Sequence, residues 1–282
     1  MRIGILHPGE MGTSVAASAM NSGHEIYWSS EGRGEKTHTR AQKYNLKDAG
    51  TLAELCKTCP VIFCICPPHA AEDVARQVIA HGFKGLYLDA NAISTQRTIK
   101  IGAMMQAAGI GFVDGGIIGP PAWERGQTWL YLSGKRADEI AACFAKGPSE
   151  TKVIGDEIGK ASALKMCYAA YTKGTTALLC AVIATAESLK VREELFQQWD
   201  TDDAGFSEQA ARRVQRVTAK AWRFAGEMDE IAATFHEAGL PSGFHESAAE
   251  IFRRMAGFKD ATVLAELDEV LSSLQGKKHP AD

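Results

Sequence analysis

The stretch that decides the fold spans residues 2–12 and reads RIGILHPGEMG. A short apolar run followed by a Pro/Gly turn and then by small residues predicts a buried strand that leads into a helix. Gly9 and Gly12 have the spacing of the last two glycines in the dinucleotide-binding fingerprint, whose glycines permit a sharp turn and a close approach to a pyrophosphate. His7 stands in place of the first glycine, so an ordinary strand–helix turn stays open as an alternative.

The first half of the chain continues this alternation of strands and helices. A βαβα pattern of this kind predicts a doubly wound parallel sheet with helices on both faces. The polar segment 31–39 is expected to be an exposed loop. The predicted strands cover residues 2–6, 24–28, 61–66, 86–88, 111–113 and 129–133, and helices are predicted at 12–22, 70–81 and 95–108.

Strand signals stop after about residue 155, and the second half reads as helical. Helices are predicted at residues 160–190, 207–224, 227–238, 244–255 and 264–274. The expected fold class is therefore α/β: a Rossmann domain over residues 1–156, a long interdomain helix, and an all-α domain over residues 157–282 for substrate binding and dimerisation.

Composition narrows the function classes. The chain has 282 residues, a formal net charge of −3 and a pI near 6.3, and we identified no basic run, so no nucleic-acid partner is expected. No secretory signal is evident, and the most apolar run, residues 61–66, is too short to span a bilayer. Seven cysteines suggest free thiols in a reducing compartment. These features favour a soluble, cytoplasmic protein.

Four of the cysteines lie close together in sequence. Cys56 and Cys59 form a C-x-x-C pair, and Cys64 and Cys66 follow in the run VIFCIC. This spacing is open to a zinc or redox interpretation. Period-two placement on a strand instead favours small apolar residues on one face. Strand geometry also spreads the four thiols poorly for tetrahedral ligation, and no histidine is spaced as a partner, so we expect no metal site.

The end of the second strand should face the ribose of the adenine half of a dinucleotide. An acidic residue there hydrogen-bonds the 2′-hydroxyl of NAD, whereas an arginine accommodates the 2′-phosphate of NADP. Ser30 occupies the usual acidic position, and Arg33 follows it, which favours NADP over NAD. Glu31 argues the other way, and a solvated Arg33 without a role is an equally good interpretation.

Further cofactor contacts are predicted beyond other strand ends, because ligands bind outside the carboxyl ends of parallel strands. Cys66 and Pro67 lie at the end of one predicted strand, and Asn91 follows the next, where it could contact the nicotinamide ribose. With the first turn, the predicted cofactor-binding residues are His7, Pro8, Gly9, Glu10, Met11, Ser30, Arg33, Cys66, Pro67 and Asn91.

Lys165 lies on the early turns of an alanine-rich helix. Burial disfavours a charged lysine, so a partly buried lysine is a candidate proton carrier near neutral pH. Helical spacing places Tyr168, Ala169 and Thr172 on the same face. Periodicity alone favours a different interpretation, in which the lysine stem covers apolar surface and the ammonium reaches water.

Three segments resemble the β-hydroxyacid dehydrogenases, the group that contains 3-hydroxyisobutyrate and 6-phosphogluconate dehydrogenases. Residues 7–12, HPGEMG, are similar to the opening motif G-x-G-x-M-G. Residues 114–120, DGGIIGP, resemble the substrate loop D-x-P-V-S-G-G, and residues 159–169 resemble the lysine segment G-x-G-x-x-x-K-x-x-x-N. The chain looks most like the branch whose C-terminal domain has no assigned function.

This resemblance implies a homodimer that transfers a hydride between NADP or NAD and a hydroxyl or carbonyl substrate. Lys165 would be the catalytic acid–base group, and Glu227 would match an acidic residue on a later helix. The implied substrate-binding residues are Ile118, Gly119, Pro120, Tyr168, Ala169 and Glu227.

Three departures affect the expected substrate. Ile118 replaces the family's loop serine, Ala169 its asparagine, and Gly226 its second lysine. Because these polar contacts are missing together, a small and highly charged hydroxyacid is disfavoured. Imine or ketimine reduction on the same scaffold, and a non-catalytic NADP-binding sensor, are the alternatives.

Overall fold

A computed structural model describes residues 1–259 and 261–276. The chain divides into two compact units, Met1–Met166 and Cys167–Asp282. In the described part of the chain, none of the helices combines the length and apolarity that a membrane span requires.

The first unit is built on an eight-stranded sheet in the order β3-β2-β1-β4-β5-β6-β7-β8. Strand β7 pairs antiparallel to β6, and all other neighbours are parallel. The sequence therefore predicted the α/β class and the doubly wound sheet correctly. The strands are β1 (Arg2–Leu6), β2 (Glu25–Trp28), β3 (Lys47–Asp48), β4 (Val61–Cys64), β5 (Leu86–Asp89), β6 (Gly111–Ile118), β7 (Trp129–Ser133) and β8 (Glu150–Val153).

Helices cover both faces of this sheet and make up the second unit. Helix α7 begins in the first unit and continues into the second, and α8–α11 belong to the second. The helices are α1 (Glu10–Met20), α2 (Glu35–Lys43), α3 (Leu52–Thr58), α4 (Ala71–Ala80), α5 (Thr95–Ala107), α6 (Ala137–Ala142), α7 (Lys160–Ser188), α8 (Arg192–Asp202), α9 (Phe206–Glu237), α10 (Gly243–Arg254) and α11 (Leu267–Leu274).

Two sequence predictions about secondary structure were wrong. The segment 31–39 is not all loop, because helix α2 begins at Glu35. The two helices predicted at 207–224 and 227–238 are one 32-residue helix, α9, which runs through Gly226. A glycine costs a helix only about 1 kcal/mol relative to alanine, and the buried stripe along α9 continues on both sides of it.

Both faces of the sheet are buried, as a parallel sheet requires. Ile3 and Ile5 of β1 pack in one core cluster, and Leu6 and Ile62 pack in the other. The second cluster also contains the four neighbouring cysteines, Cys56, Cys59, Cys64 and Cys66, all as free thiols.

Burial raises the pKa of Cys56 to about 11 and that of Cys59 to about 12, so these thiols stay protonated and pack as apolar groups. The described residues contain no group of three or more His, Cys, Asp or Glu that could hold a metal ion.

Candidate cofactor edge and lysine site

The turn between β1 and α1 keeps the backbone shape of a dinucleotide fingerprint although its first glycine is replaced. His7 has a φ of +61°, in the left-handed region that glycine usually occupies. A Cβ on Gly12 would lie 2.9 Å from the carbonyl oxygen of His7, so this position needs glycine for α1 to approach β1 closely. Gly9 caps α1 without a side-chain hydrogen bond, which leaves the N–H groups of the first turn available to an anion.

Two buried polar atoms beside this turn have no hydrogen-bond partner among the described residues. They are Nδ1 of His7 and Nε of Arg33. Burial, together with the nearby Arg33 charge, lowers the pKa of His7 to about 4. Ser30 is half-buried and Glu31 is exposed in the same β2–α2 loop. A bound dinucleotide would offer oxygen acceptors to the orphaned donor of Arg33, so these residues fit a nicotinamide dinucleotide at this edge.

The loops after β4 and β5 are joined by one side chain. Asn91 Oδ1 accepts a hydrogen bond of 2.6 Å from the backbone N–H of Cys66, and Asn91 Nδ2 lies 3.4 Å from Sγ of Cys64. Cys66 is buried and Pro67 is exposed. Asn91 therefore holds two adjacent strand ends together at the ligand edge of the sheet; a direct contact with the nicotinamide ribose stays a prediction.

The buried carboxyl group of Asp89 holds the backbone of Asn91 in place. Asp89 Oδ1 accepts a hydrogen bond of 3.0 Å from the backbone N–H of Asn91, while Oδ2 has no partner among the described residues. Burial raises the pKa of Asp89 to about 7; the hydrogen bond from Asn91 opposes this shift, and the nearby Asp114 charge adds to it. Nothing in the sequence predictions assigned Asp89 a role, although its place at a strand end was visible.

Lys165 reaches the same edge of the sheet, at the end of β6. Its Nζ donates a hydrogen bond of 2.8 Å to the carbonyl oxygen of Ile117, and its side chain is partly buried. The close approach of α7 to β6 depends on Gly116, where a Cβ would lie 2.5 Å from the carbonyl oxygen of Ala161. The other lysine at this end of α7, Lys160, is exposed and pairs with Glu157.

The first turn of α7 is fixed by the carboxylate of Asp114, which lies on β6. Asp114 Oδ2 accepts the backbone N–H groups of Gly159, Ala161 and Ser162 at 2.9, 3.0 and 3.1 Å, and Oδ1 accepts Ser162 Oγ at 2.6 Å. Ser133 Oγ also donates to Oδ2 at 2.9 Å. Burial raises the pKa of Asp114, and the hydrogen bonds, led by that from Ser162, oppose this shift. These hydrogen bonds fix the start of α7 and therefore the position of the Lys165 backbone.

The loop after β6 contains the predicted substrate residues of the first unit. Ile118 is half-buried at the end of the strand, and Gly119 and Pro120 are exposed. Gly119 has a φ of +126°, and a Cβ there would lie 2.2 Å from the carbonyl oxygen of Gln127, so only glycine fits. Thr128 Oγ1 donates to the Pro120 carbonyl at 2.7 Å, which holds the loop in place.

The remaining predicted residues belong to the second unit. Tyr168 is half-exposed on α7, and Ala169, one position further, is buried. Glu227 on α9 forms an ion pair of 2.9 Å with Lys173 on α7, and both side chains are largely buried. Lys173 also lies over the ring of Phe224 at 4.8 Å. Their roles toward a substrate stay predictions.

Family models match both parts of the chain. Residues 2–88 match the model described as NADP oxidoreductase, coenzyme F420-dependent, and residues 186–255 match a domain of unknown function. A protein of Methanothermus fervidus, described as an uncharacterized 28.5 kDa protein, is 31% identical over 197 residues, which cover 70% of this chain and 75% of the relative.

Solved structures also resemble this chain over most of its length. A conserved protein of unknown function, described as structurally similar to 3-hydroxyacid dehydrogenases, is 28% identical with a TM-score of 0.68; the match covers 91% of this chain and 97% of that one.

Two structures of lower identity share the fold. Mycobacterium tuberculosis 3-hydroxyisobutyrate dehydrogenase matches at a TM-score of 0.71 and 15% identity, over 97% of this chain and 99% of its own. A Streptomyces aurantiacus imine reductase matches at 0.56 and 15%, over 99% of this chain and 100% of its own.

Proposed function

We propose that this protein catalyses hydride transfer between NADP and a hydroxyl or carbonyl substrate, with Lys165 as the general acid–base. The chain belongs to the β-hydroxyacid dehydrogenase family, in the branch whose C-terminal domain has no known function. Members of this family are oxidoreductases that use a nicotinamide cofactor.

One observation carries the role of Lys165. Its Nζ lies 2.8 Å from the Ile117 carbonyl oxygen, at the end of β6 and on the edge where β1, β4 and β5 also end. Ligands of doubly wound sheets bind at this edge. The alternative in which the ammonium simply reaches water explains the partial burial less well, because the amine is held by a backbone carbonyl.

The proposed mechanism assigns a proton step to the chain itself. A bound nicotinamide supplies the hydride acceptor or donor. In oxidation, neutral Lys165 takes the proton of the substrate hydroxyl; in reduction, the ammonium returns a proton to the carbonyl oxygen. The Ile117 carbonyl orients the amine, and Asp114 fixes the helix turn that carries it.

Preference for NADP is supported by a buried polar atom in the loop between β2 and α2. Arg33 Nε is a buried donor without a partner among the described residues, and an arginine suits a phosphate better than a ribose hydroxyl. The residues of the first turn, from His7 to Met11, would hold the pyrophosphate against the start of α1.

The substrate is proposed to be larger or less charged than a simple hydroxyacid. Ile118 lies where the family's loop serine would stand, and Ala169 where the asparagine would stand. Reduction of an imine is the second candidate; the shared fold of an imine reductase is compatible with it, and the lysine at position 165 favours the hydroxyl–carbonyl reaction.

The experiment that separates these activities is a parallel assay. The protein is incubated with NADPH or NADH and with ketoacids, aldehydes or cyclic imines, and the decrease in absorbance of the reduced cofactor is followed. We expect turnover with a carbonyl compound and NADPH. Turnover with cyclic imines alone would replace the proposed reaction, and NADPH binding without turnover of any substrate would indicate a sensor.

A homodimer is proposed as the working form. Helix α7 leaves Tyr168, Tyr171 and Leu178 exposed at spacings of three and seven residues, which places them on one face of the helix. Sedimentation equilibrium at micromolar concentration should give twice the mass of one chain, and a monomer would contradict the proposal.

A further inference from the structure

The second unit contains a groove of about 550 Å³ between α7 and α9. Its volume lies in the range of small-molecule sites. Val217 and Phe224 contribute its apolar surface. The complete lining consists of Thr176, Gln209, Arg212, Arg213, Arg216, Val217, Lys220 and Phe224.

The charge of this groove has one sign. Every charged residue between positions 209 and 226 is basic, although uncharged residues separate most of these cations along the sequence. Arg212, Arg216 and Lys220 follow one another at four-residue spacing, and like charges at this spacing destabilise a helix. Arg212 pairs with Glu208, whereas Arg216 and Lys220 have no ion-pair partner among the described residues.

Arg213 gives the groove a fixed wall. Its Nε donates to Thr176 Oγ1 at 2.8 Å, and its Nη2 donates to the Thr172 carbonyl at 2.8 Å and to Thr175 Oγ1 at 2.6 Å. These partners are uncharged, so the guanidinium charge is held in position without being neutralised. Two cations without acidic partners therefore lie next to a third that is already ordered.

We propose that this groove binds a small phosphorylated ligand. Arg216 and Lys220 contact its phosphoryl oxygens, Arg213 adds positive charge from the wall, and Phe224 and Val217 contact its less polar part. A guanidinium group can donate two parallel hydrogen bonds to two oxygens of one phosphate. The bound anion would also reduce the repulsion between the neighbouring cations of α9. The site is independent of Lys165 and of the proposed hydride transfer.

The test uses inorganic pyrophosphate as the probe and isothermal titration as the readout. Binding is measured with and without saturating NADPH, at an ionic strength kept constant with sodium chloride. The double variant Arg216→Gln/Lys220→Gln neutralises the groove. The double variant Lys190→Gln/Lys259→Gln removes the same charge at two exposed cations of the second unit that do not line the groove.

We expect the wild-type protein to bind pyrophosphate in the presence of NADPH. The groove variant should bind it at least about 10-fold more weakly, the size of one charge-assisted hydrogen bond, and the control within about 3-fold of wild type. Equal weakening in both variants, or no binding to wild type once NADPH is present, would overturn the proposal.

Sedimentation of the same samples gives a second check. A groove variant that loses self-association while the control keeps it would identify the groove as a subunit contact, and the proposed ligand site would be wrong. Unchanged association in both variants, together with selective loss of pyrophosphate binding, supports the ligand site. NADPH binding itself tests the cofactor edge, so failure of that function would be recognised separately.

Discussion

Asp114 and Ser162 are joined by a hydrogen bond of 2.6 Å from the serine hydroxyl to the carboxylate, and this contact fixes the first turn of the helix that carries Lys165. The same carboxylate accepts three backbone N–H groups of that turn. A strand residue thus takes the role that a residue before the helix usually plays, because the helix start lies directly against the sheet.

Asp114→Asn should therefore destabilise the protein. Whichever way the amide is oriented, its nitrogen replaces one acceptor oxygen, and the negative charge that strengthens the five hydrogen bonds to Asp114 is lost. We therefore expect a loss of about 2 kcal/mol in the free energy of unfolding. Urea denaturation measures it. Asp138→Asn, at an exposed position in the first turn of α6, is the control and should cost less than about 1 kcal/mol. Similar losses in both variants would show that the cap does not matter.

Asp89 should make stability depend on pH. Its pKa is about 7 in the folded protein, whereas the ordinary value of an aspartate side chain is 3.8, because burial disfavours the charged form. Between these values the folded state keeps a proton that the unfolded state has lost, so stability should fall as pH rises from about 4 to about 7, by as much as about 4 kcal/mol.

The matching variant is Asp89→Asn, which stays neutral and can still accept the N–H of Asn91. Unfolding free energies of both proteins are compared at pH 4.5 and pH 7.5. Wild type should lose more stability over this interval than the variant. A constant difference between the two would mean that Asp89 is already ionised at the lower pH.

Arg33 should distinguish the two nicotinamide cofactors. Arg33→Ala removes the buried donor at the β2 end, so we expect the Kd for NADPH to rise about 10- to 100-fold, the range for hydrogen bonds to a charged group, while the Kd for NADH changes less than about 3-fold. Fluorescence titration measures both. Arg76→Ala, on the exposed surface of α4, is the control. Equal loss for both cofactors would remove Arg33 from the phosphate site.

Sequence reasoning predicted the sheet well because buried parallel strands carry dense apolar runs. It missed β3 and β8 because Lys47 and Asp48 are exposed and Glu150–Val153 is only partly buried, so neither shows a strong apolar pattern. It treated Gly226 as lying between two helices, whereas packing of α9 outweighs the low helix propensity of one glycine.

The sequence allowed us to predict which residues of the candidate site lie at strand ends, but not which hydrogen bonds and ion pairs join them. Motif spacing placed Lys165 and the first turn, and the structure brings both to one edge of the sheet. The tie between Asn91 and Cys66, and the pairing of Glu227 with Lys173, join residues that are distant in sequence. No local pattern encodes such contacts, because they depend on how the elements pack.

The most direct test of the central claim is the turnover of Lys165→Met at saturating NADPH, with the best carbonyl substrate from the parallel assay. Lys160→Met, on the exposed first turn of the same helix, is the control. We expect Lys165→Met to lower kcat by about 10² to 10⁴-fold with an unchanged Kd for NADPH, and Lys160→Met to leave both near wild type. A near-normal kcat for Lys165→Met would contradict the account.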